Sequence, residues 1–287
     1  MSEGKPMHAG MAGTIDVGGD LTVNRLGFGA MRITGDGIWG QPADRDEAKA
    51  VLRRAIELGV NFIDTADSYG PNVSEEFISE ALSPYPDDLV IATKGGLERT
   101  GPGQWPANGR PEHLVEACEA SLRRLGLEQI PLHQLHRPDP AVPLEDSIGA
   151  LVGLKEQGKI RHIGLSNVTE EQVRRGQRLT PVVSIQNRYN VDDRRSESLV
   201  DLCEQEQLVF LPWAPTQDLD RNRMVQEIAR RHGATPRQIV LTWLLARSPS
   251  ILAIPGTASV SHLDDNVTAA AIKLTPAEVA SITSNTG

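Results

Sequence analysis

GVNFIDTADSYGPNVSEEFISEALSPYPDDLVIATKGG, residues 59–96, reads as one strand–helix–strand unit. GVNFID (59–64) and LVIATK (89–94) are short apolar runs bounded by loop-forming residues, as strands buried on both faces should be. Between them, residues 74–82 repeat their apolar positions at helical spacing. The same alternation continues outward in both directions. Strand patterns end in LGFGAM (26–31), PLHQLH (131–136), IRHIGLS (160–166), VVSIQN (182–187), LVFLPW (208–213) and ILAIPG (251–256). Helical patterns lie over 44–58, 111–125, 144–157, 169–177, 193–206, 222–247, 259–270 and 276–283. Asp44 with Glu47 reads as a capping box, Pro111 suits a first helical position, and the 222–247 stretch breaks near Gly233 and Pro236. Eight βα units in strict alternation predict an α/β protein with a parallel sheet, and eight closes a (β/α)8 TIM barrel. An open doubly wound sheet is the alternative; it would bring a GxGxxG turn, and GFGAMR lacks the third glycine. Upstream, GTIDVGGDLTVNRLG alternates on either side of Gly18-Gly19, which predicts a short N-terminal β-hairpin. Residues 1–13 read as a flexible tail, and 14–287 as a single barrel domain.

Composition narrows the function. The 287 residues are 39% hydrophobic and 23% charged, which allows a well-buried core. A net charge of -9 argues against nucleic acid and against anionic membranes as partners. No apolar stretch approaches the roughly 20 residues that span a bilayer. The amino terminus has no apolar core of a secretory signal, so a cytoplasmic protein is expected. Cys118 and Cys203 fall on apolar helix faces and read as core thiols. No strand-end cluster of His and carboxylates has metal-ligand spacing, so no metal is expected. The sequence assigns no oligomeric state.

In a parallel barrel, chemistry sits at the carboxyl ends of the strands. Strand two ends at Asp64, with Tyr69 five residues on in FIDTADSYG; strand three ends at Lys94 in IATKGG, and strand four at His136 in LHRPD. Singly, Asp64 reads equally as a helix cap, Lys94 as a surface charge, His136 as a core histidine and Tyr69 as loop packing. Together they stand at three consecutive strand ends and should converge on one rim. The chemistry such a set can share is carbonyl reduction. A tyrosine with an unperturbed pKa of about 10 is a poor acid at neutral pH. A neighbouring ammonium favours its phenolate. Lys94 can supply that charge, Asp64 can hold Lys94, and His136 can orient a carbonyl oxygen.

These motifs resemble the aldo-keto reductase superfamily, from about Asn24 to Asn266. FIDTADSYG, IATKGG and LHRPD match its tetrad in order and spacing, with Asp64, Tyr69, Lys94 and His136 in the matching positions. The resemblance implies that Tyr69 is the general acid. It implies a nicotinamide cofactor held by Gly29, Ala30, Met31 and Asp64, by Ser166 and Asn167 of HIGLSN, and by Gln186 of IQN. Trp213 would stack on the nicotinamide, followed by Ala214, Pro215 and Thr216. The last cofactor segment would be IPGTASVSHLDDN, through Gly256, Thr257, Ser259, His262, Asp265 and Asn266. A finer resemblance in GFGAMRITGDGIWGQP, DTADSYGP and LAIPGTASVSHLDDNV points to the bacterial pyridoxal-reductase-type branch, which reduces pyridoxal with NADPH. Gly256 and His262 stand where the family often places Lys and Arg, so NADP(H) is the expected cofactor and NAD(H) the alternative. The chain also stops soon after the helix at 276–283, so the long carboxy-terminal substrate loops of some relatives are expected to be absent and the pocket to be more open. Trp39, Trp105 and Met31 could wall a substrate pocket, or the tryptophans could simply pack in loops. Arg137 could meet an anionic or phenolic substrate group, or pair with Asp139. Two rival functions remain open at this stage: an NAD-linked dehydrogenase, and a barrel subunit that senses cofactor without turnover.

Overall fold

A computed structural model describes residues 7–216 and 222–284. Two alternating runs form the antiparallel hairpin β1 (Thr14–Val17) and β2 (Leu21–Asn24), turning through Gly18 and Gly19 at φ 68° and 82°. Seven parallel strands follow in sequential order: β3 (Phe28–Gly29), β4 (Phe62–Asp64), β5 (Val90–Gly95), β6 (Ile130–Leu135), β7 (Ile160–Ser166), β8 (Val182–Gln186) and β9 (Val209–Phe210). The expected eighth strand, 251–256, makes only isolated parallel bridges, Ile251 to Phe210 and Ala253 to Leu26. Those bridges nevertheless close the barrel. Phe210 donates to Ser250 O and Leu252 to Phe210 O on one side, while Ala253 donates to Arg25 O and Gly27 to Ala253 O on the other. Pro255 has no N–H with which to extend this pairing, nor has Pro212; β9 is regular only over Val209–Phe210, although Leu211 and Trp213 still donate to Ile185 O and Asn187 O.

The helices are α1 (Arg45–Glu57), α2 (Val73–Leu82), α3 (Pro111–Leu125), α4 (Leu144–Glu156), α5 (Glu170–Gln177), α6 (Glu197–Glu206), α7 (Arg223–His232), α8 (Pro236–Arg247), α9 (Val260–Thr268) and α10 (Pro276–Ser284). α1 to α5 pack in succession around the strands, and α8 and α9 bring the ring back to α1. The expected break in 222–247 falls between α7 and α8, where Gly233 caps one helix and Thr235 begins the next in a full capping box with Gln238. α6 starts four residues later than its periodicity suggests. Asn190 Oδ1 accepts the N–H groups of Asp192 and Asp193, so the chain turns there before it can wind.

Two local readings need correction. Asp44 does cap α1 by accepting the Glu47 N–H at 2.9 Å. Glu47, however, does not reach back to complete a box; its carboxylate accepts the Val260 N–H at 2.9 Å and ties the start of α9 to α1. The other concerns part of the flexible tail expected over 1–13. From Met7 onward the chain is docked: Ala9 is fully buried and donates to Leu58 O at 2.7 Å, while His8 Nδ1 caps the 3-10 turn Ala9–Ala12. Residues 1–6 of that stretch lie outside the described residues.

Side chains alternate along the strands, and this splits the core in two. Outward residues such as Ile63, Ile91, Ile163 and Ile185 pack under the helices. Inward residues, including Phe62, Val90, Leu132, Val209 and Leu252, fill the lower barrel together with Val17 and Val23 of the hairpin. The hairpin therefore plugs the amino-terminal end, and Asp20 fastens it by contacts to Arg161 and His162, each 2.6 Å. The opposite end is left for polar side chains.

Closure brings β3 against the final segment so tightly that a Cβ on Gly29 would lie 2.6 Å from Ile254 O. Backbone cannot yield as a flexible side chain can. Gly29→Ala is expected to destabilise the fold by about 1–3 kcal/mol, read as a lower denaturant midpoint at unchanged m-value.

Candidate active site

Asp64 ends β4, Lys94 lies near the end of β5, and His136 directly follows β6; Tyr69 stands in the loop between β4 and α2. The barrel brings all four together. Lys94 is fully buried, so it is no surface charge, and its ammonium has three partners: Asp64 Oδ2 at 2.7 Å, Thr65 O at 2.8 Å and the Tyr69 hydroxyl at 3.2 Å. The three protons of a lysine are thereby all engaged. The other oxygen of Asp64 accepts from Gln186 Nε2 at 2.8 Å and Gln134 Nε2 at 3.2 Å. Four strands thus contribute to one buried network.

Burial and partners set the protonation. For Lys94, burial pulls towards the neutral form, but Asp64 and Tyr69 outweigh it and the pKa is raised. For Tyr69 the balance is opposite to the simple expectation. Burial and the carboxylates push the phenol above its ordinary value, although Lys94 pulls it down. His136 is held well below the usual histidine range by burial and by the positive charges of Lys94, Arg137 and Arg99, so its imidazole is neutral. Its Nδ1 meets Ser68 Oγ at 3.3 Å, and its ring stands edge-on to Tyr69 with centroids 5.9 Å apart.

The other anticipated positions lie at the later strand ends, on the turn after β3 and in the last segment. Ser166, at the end of β7, donates to Gln186 O, and Asn167, at φ 57°, donates to His136 O at 3.0 Å. Trp213 is half-buried and donates its indole N–H to Asn167 Oδ1 at 3.1 Å, with the Arg188 guanidinium 5.5 Å from its ring. Ala214 adopts φ 53° and accepts from Asn190; Pro215 is buried and Thr216 half-buried beside it. Gly29, Ala30 and Met31 lie where β3 runs into a 3-10 turn, with Gly29 against Gly256. In the last segment, Thr257 Oγ1 accepts the Ser259 N–H, while His262 and Asp265 are exposed. Asn266 is 1% exposed, and neither its amide nitrogen nor its oxygen has a partner. Gln186 was expected at the cofactor, yet its amide N–H is directed at Asp64.

Several participants escaped the sequence reading. Gln134 lies two residues before His136 and so on the same face of β6; strand alternation was the available signal. Ser68 and Arg99 carried none, because their roles depend on loop contacts across the mouth. Arg99 donates to Ile38 O and Ser68 O at 2.8 Å, and its guanidinium lies 3.5 Å from the Trp105 ring centroid and 5.4 Å from that of Trp39. Both cysteines are free and buried; burial pushes the Cys118 thiol up to about 12. Among the described residues, no group of three or more His, Cys, Asp or Glu side chains is placed to hold a metal ion.

A parallel barrel plugged at its base, with a buried Asp–Lys–Tyr network at the carboxyl ends of its strands, has close counterparts. The aldo/keto reductase family profile matches residues 25–285. An uncharacterized oxidoreductase of Schizosaccharomyces pombe is 48% identical over 93% of this chain and 87% of its own length. Pyridoxine 4-dehydrogenase of Escherichia coli is 42% identical, covering 89% of this chain and 92% of the relative. An aldo-keto reductase from Klebsiella pneumoniae, solved in complex with NADPH, superposes with a TM-score of 0.79 at 28% identity, covering 94% of this chain and 93% of that one. This chain belongs to the aldo/keto reductase family and is an oxidoreductase.

Two measurements follow from the electrostatics. Lys94→Met leaves Asp64 buried without its cation, and a loss of about 3–5 kcal/mol is expected in urea unfolding. Asp67 is buried beside Glu75, and burial, then that charge, raise its pKa to about 8, with Arg124 opposing. Its folded pKa exceeds the unfolded value of 3.8, so the associated stability is complete below about pH 4 and is lost as pH rises through 8. Asp67→Asn should therefore melt like the parent near pH 4 and about 4 °C or more above it at pH 9.

Proposed function

We propose that this oxidoreductase uses NADP(H) to reduce an aldehyde or ketone to the alcohol, with Tyr69 as proton donor and pyridoxal as a candidate substrate. The observation that carries the reading is the Lys94 ammonium, bound at once to the Asp64 carboxylate and the Tyr69 hydroxyl inside the barrel mouth. When bound, the reduced nicotinamide supplies a hydride to the carbonyl carbon. The protein's own part is to manage the oxygen. Tyr69 is protonated at neutral pH, because burial raises its pKa, and it can give that proton to the nascent alkoxide. Lys94 then balances the phenolate, while Asp64, Gln134 and Gln186 keep the ammonium placed. Neutral His136 has Nδ1 engaged by Ser68 and turns its other ring nitrogen to orienting the carbonyl oxygen.

The residues present suit a dinucleotide. A half-buried indole at Trp213 offers a flat face next to Asn167 and Ser166. The unpartnered amide of Asn266 offers one donor and one acceptor, the pairing a purine edge requires. Gly29, Ala30, Met31, Ala214, Pro215 and Thr216 would flank the chain of the cofactor, and Gly256, Thr257, Ser259, His262 and Asp265 its far end. NADP(H) is favoured by the NADPH complex of the Klebsiella relative; pyridoxal is the aldehyde that oxidation of the pyridoxine named for the Escherichia relative would give. We place the enzyme in the cytoplasm; no described helix is long and apolar enough to cross a membrane.

The test is the initial rate of NADPH oxidation with pyridoxal and simple aldehydes, with NADH in parallel. Tyr69→Phe should lower kcat by about 10²–10⁴-fold while still binding NADPH, as followed by nucleotide fluorescence. An undiminished rate in that variant would remove Tyr69 from the chemistry, and a preference for NADH would reverse the cofactor assignment.

A further inference from the structure

Arg137 directly follows His136 and is exposed at the barrel mouth. Asp139, the partner that the sequence offers it, is engaged elsewhere: its carboxylate accepts the N–H groups of Gly109 at 3.0 Å and Ala141 at 2.8 Å. Among the described residues Arg137 has no carboxylate partner. Arg99 has none either. Its guanidinium is held by the carbonyls of Gly37, Ile38 and Ser68 and by the faces of two indoles, which restrain its position without neutralising it.

These groups are connected to both residues that would handle a carbonyl. Ser68, which accepts from Arg99 through its carbonyl, also contacts His136 through its hydroxyl. Trp105, stacked on Arg99, meets Tyr69 edge to face at 6.5 Å. The charge of Lys94 is matched by Asp64, whereas neither Arg99 nor Arg137 makes an ion pair among the described residues. The same two arginines act with Lys94 in keeping His136 neutral.

We propose that Arg137 binds a negatively charged group of the substrate and that Arg99 is a positioning residue that fixes the wall made by Trp39 and Trp105. The substrate class is then a flat aromatic aldehyde carrying an ionised oxygen, a carboxylate or phenolate. The inference deepens the carbonyl-reduction reading and rests on it. A guanidinium recognises such an oxygen by charge-assisted hydrogen bonds, and an indole accepts the ring face.

The experiment compares 4-carboxybenzaldehyde with its neutral methyl ester, using NADPH. The parent enzyme should favour the acid by about tenfold or more in kcat/KM. Arg137→Gln should bring that ratio close to one, through a higher KM for the acid. Arg99→Lys keeps the charge but loses the fork. It should lower kcat for both aldehydes and keep the ratio. A parent ratio near or below one, or a ratio that Arg137→Gln leaves unchanged, would overturn the proposal. Should neither aldehyde turn over, the carbonyl-reduction reading fails, and quenching of tryptophan fluorescence by benzoate still decides the anion site. Saturable quenching weakened about tenfold in Arg137→Gln supports it; equal or absent quenching in both proteins sinks it.

Discussion

A fully buried lysine charge is the constraint around which the upper barrel is organised. An ammonium removed from water needs a counter-charge and acceptors for its remaining protons, or it loses its proton. Lys94 has Asp64, Thr65 and Tyr69, and Asp64 in turn has the amides of Gln134 and Gln186. These groups come from four strands and the loop after β4, so the network exists only when β4, β5, β6 and β8 are in register. The apolar lower barrel and the hairpin plug keep water from entering beneath it. The same exclusion of solvent raises the Tyr69 pKa and lowers that of His136. Packing and protonation at this site are one problem with one solution.

The rim has a different electrostatic character from the rest of the surface. Asp67 is mostly protonated at neutral pH, since burial and Glu75 raise it to about 8, so it contributes little negative charge next to Tyr69. Arg99 is balanced by carbonyl dipoles and indole faces rather than by a carboxylate. Two arginines at this mouth thus stand without a carboxylate partner among the described residues, in a chain that is acidic as a whole.

Much of this was legible in the residues. Strand ends could be aligned because a buried parallel strand is short, apolar and punctuated, and Asp64, Lys94 and His136 each terminate such a run. The spacing of Tyr69 from Asp64 carried the loop residue with them. What could not be read were pairings fixed by tertiary contact. Glu47 stands at a capping-box position, yet the Val260 N–H lies near enough in space to take its carboxylate. Gln186 stands at a strand end, but an unsatisfied oxygen on Asp64 is the nearer partner for its amide. Arg137 and Asp139 are two apart in sequence, and the turn that Asp139 stabilises keeps them from pairing. α6 begins four residues beyond the start of its periodicity because Asn190 offers the backbone a competing turn.

The seam that closes the barrel has a consequence during synthesis. β3 and β9 both need residues 250–256 to satisfy their outer edges, and Arg25 reaches across the same seam to the carbonyls of Leu245, Ser248 and Ile251. A chain emerging from the ribosome therefore holds a sheet with two open edges until residues 250–256 appear. Open edges of hydrophobic strands invite pairing with other chains. The time between translation of β9 and translation of the seam is the period in which this fold depends most on being kept apart from its neighbours.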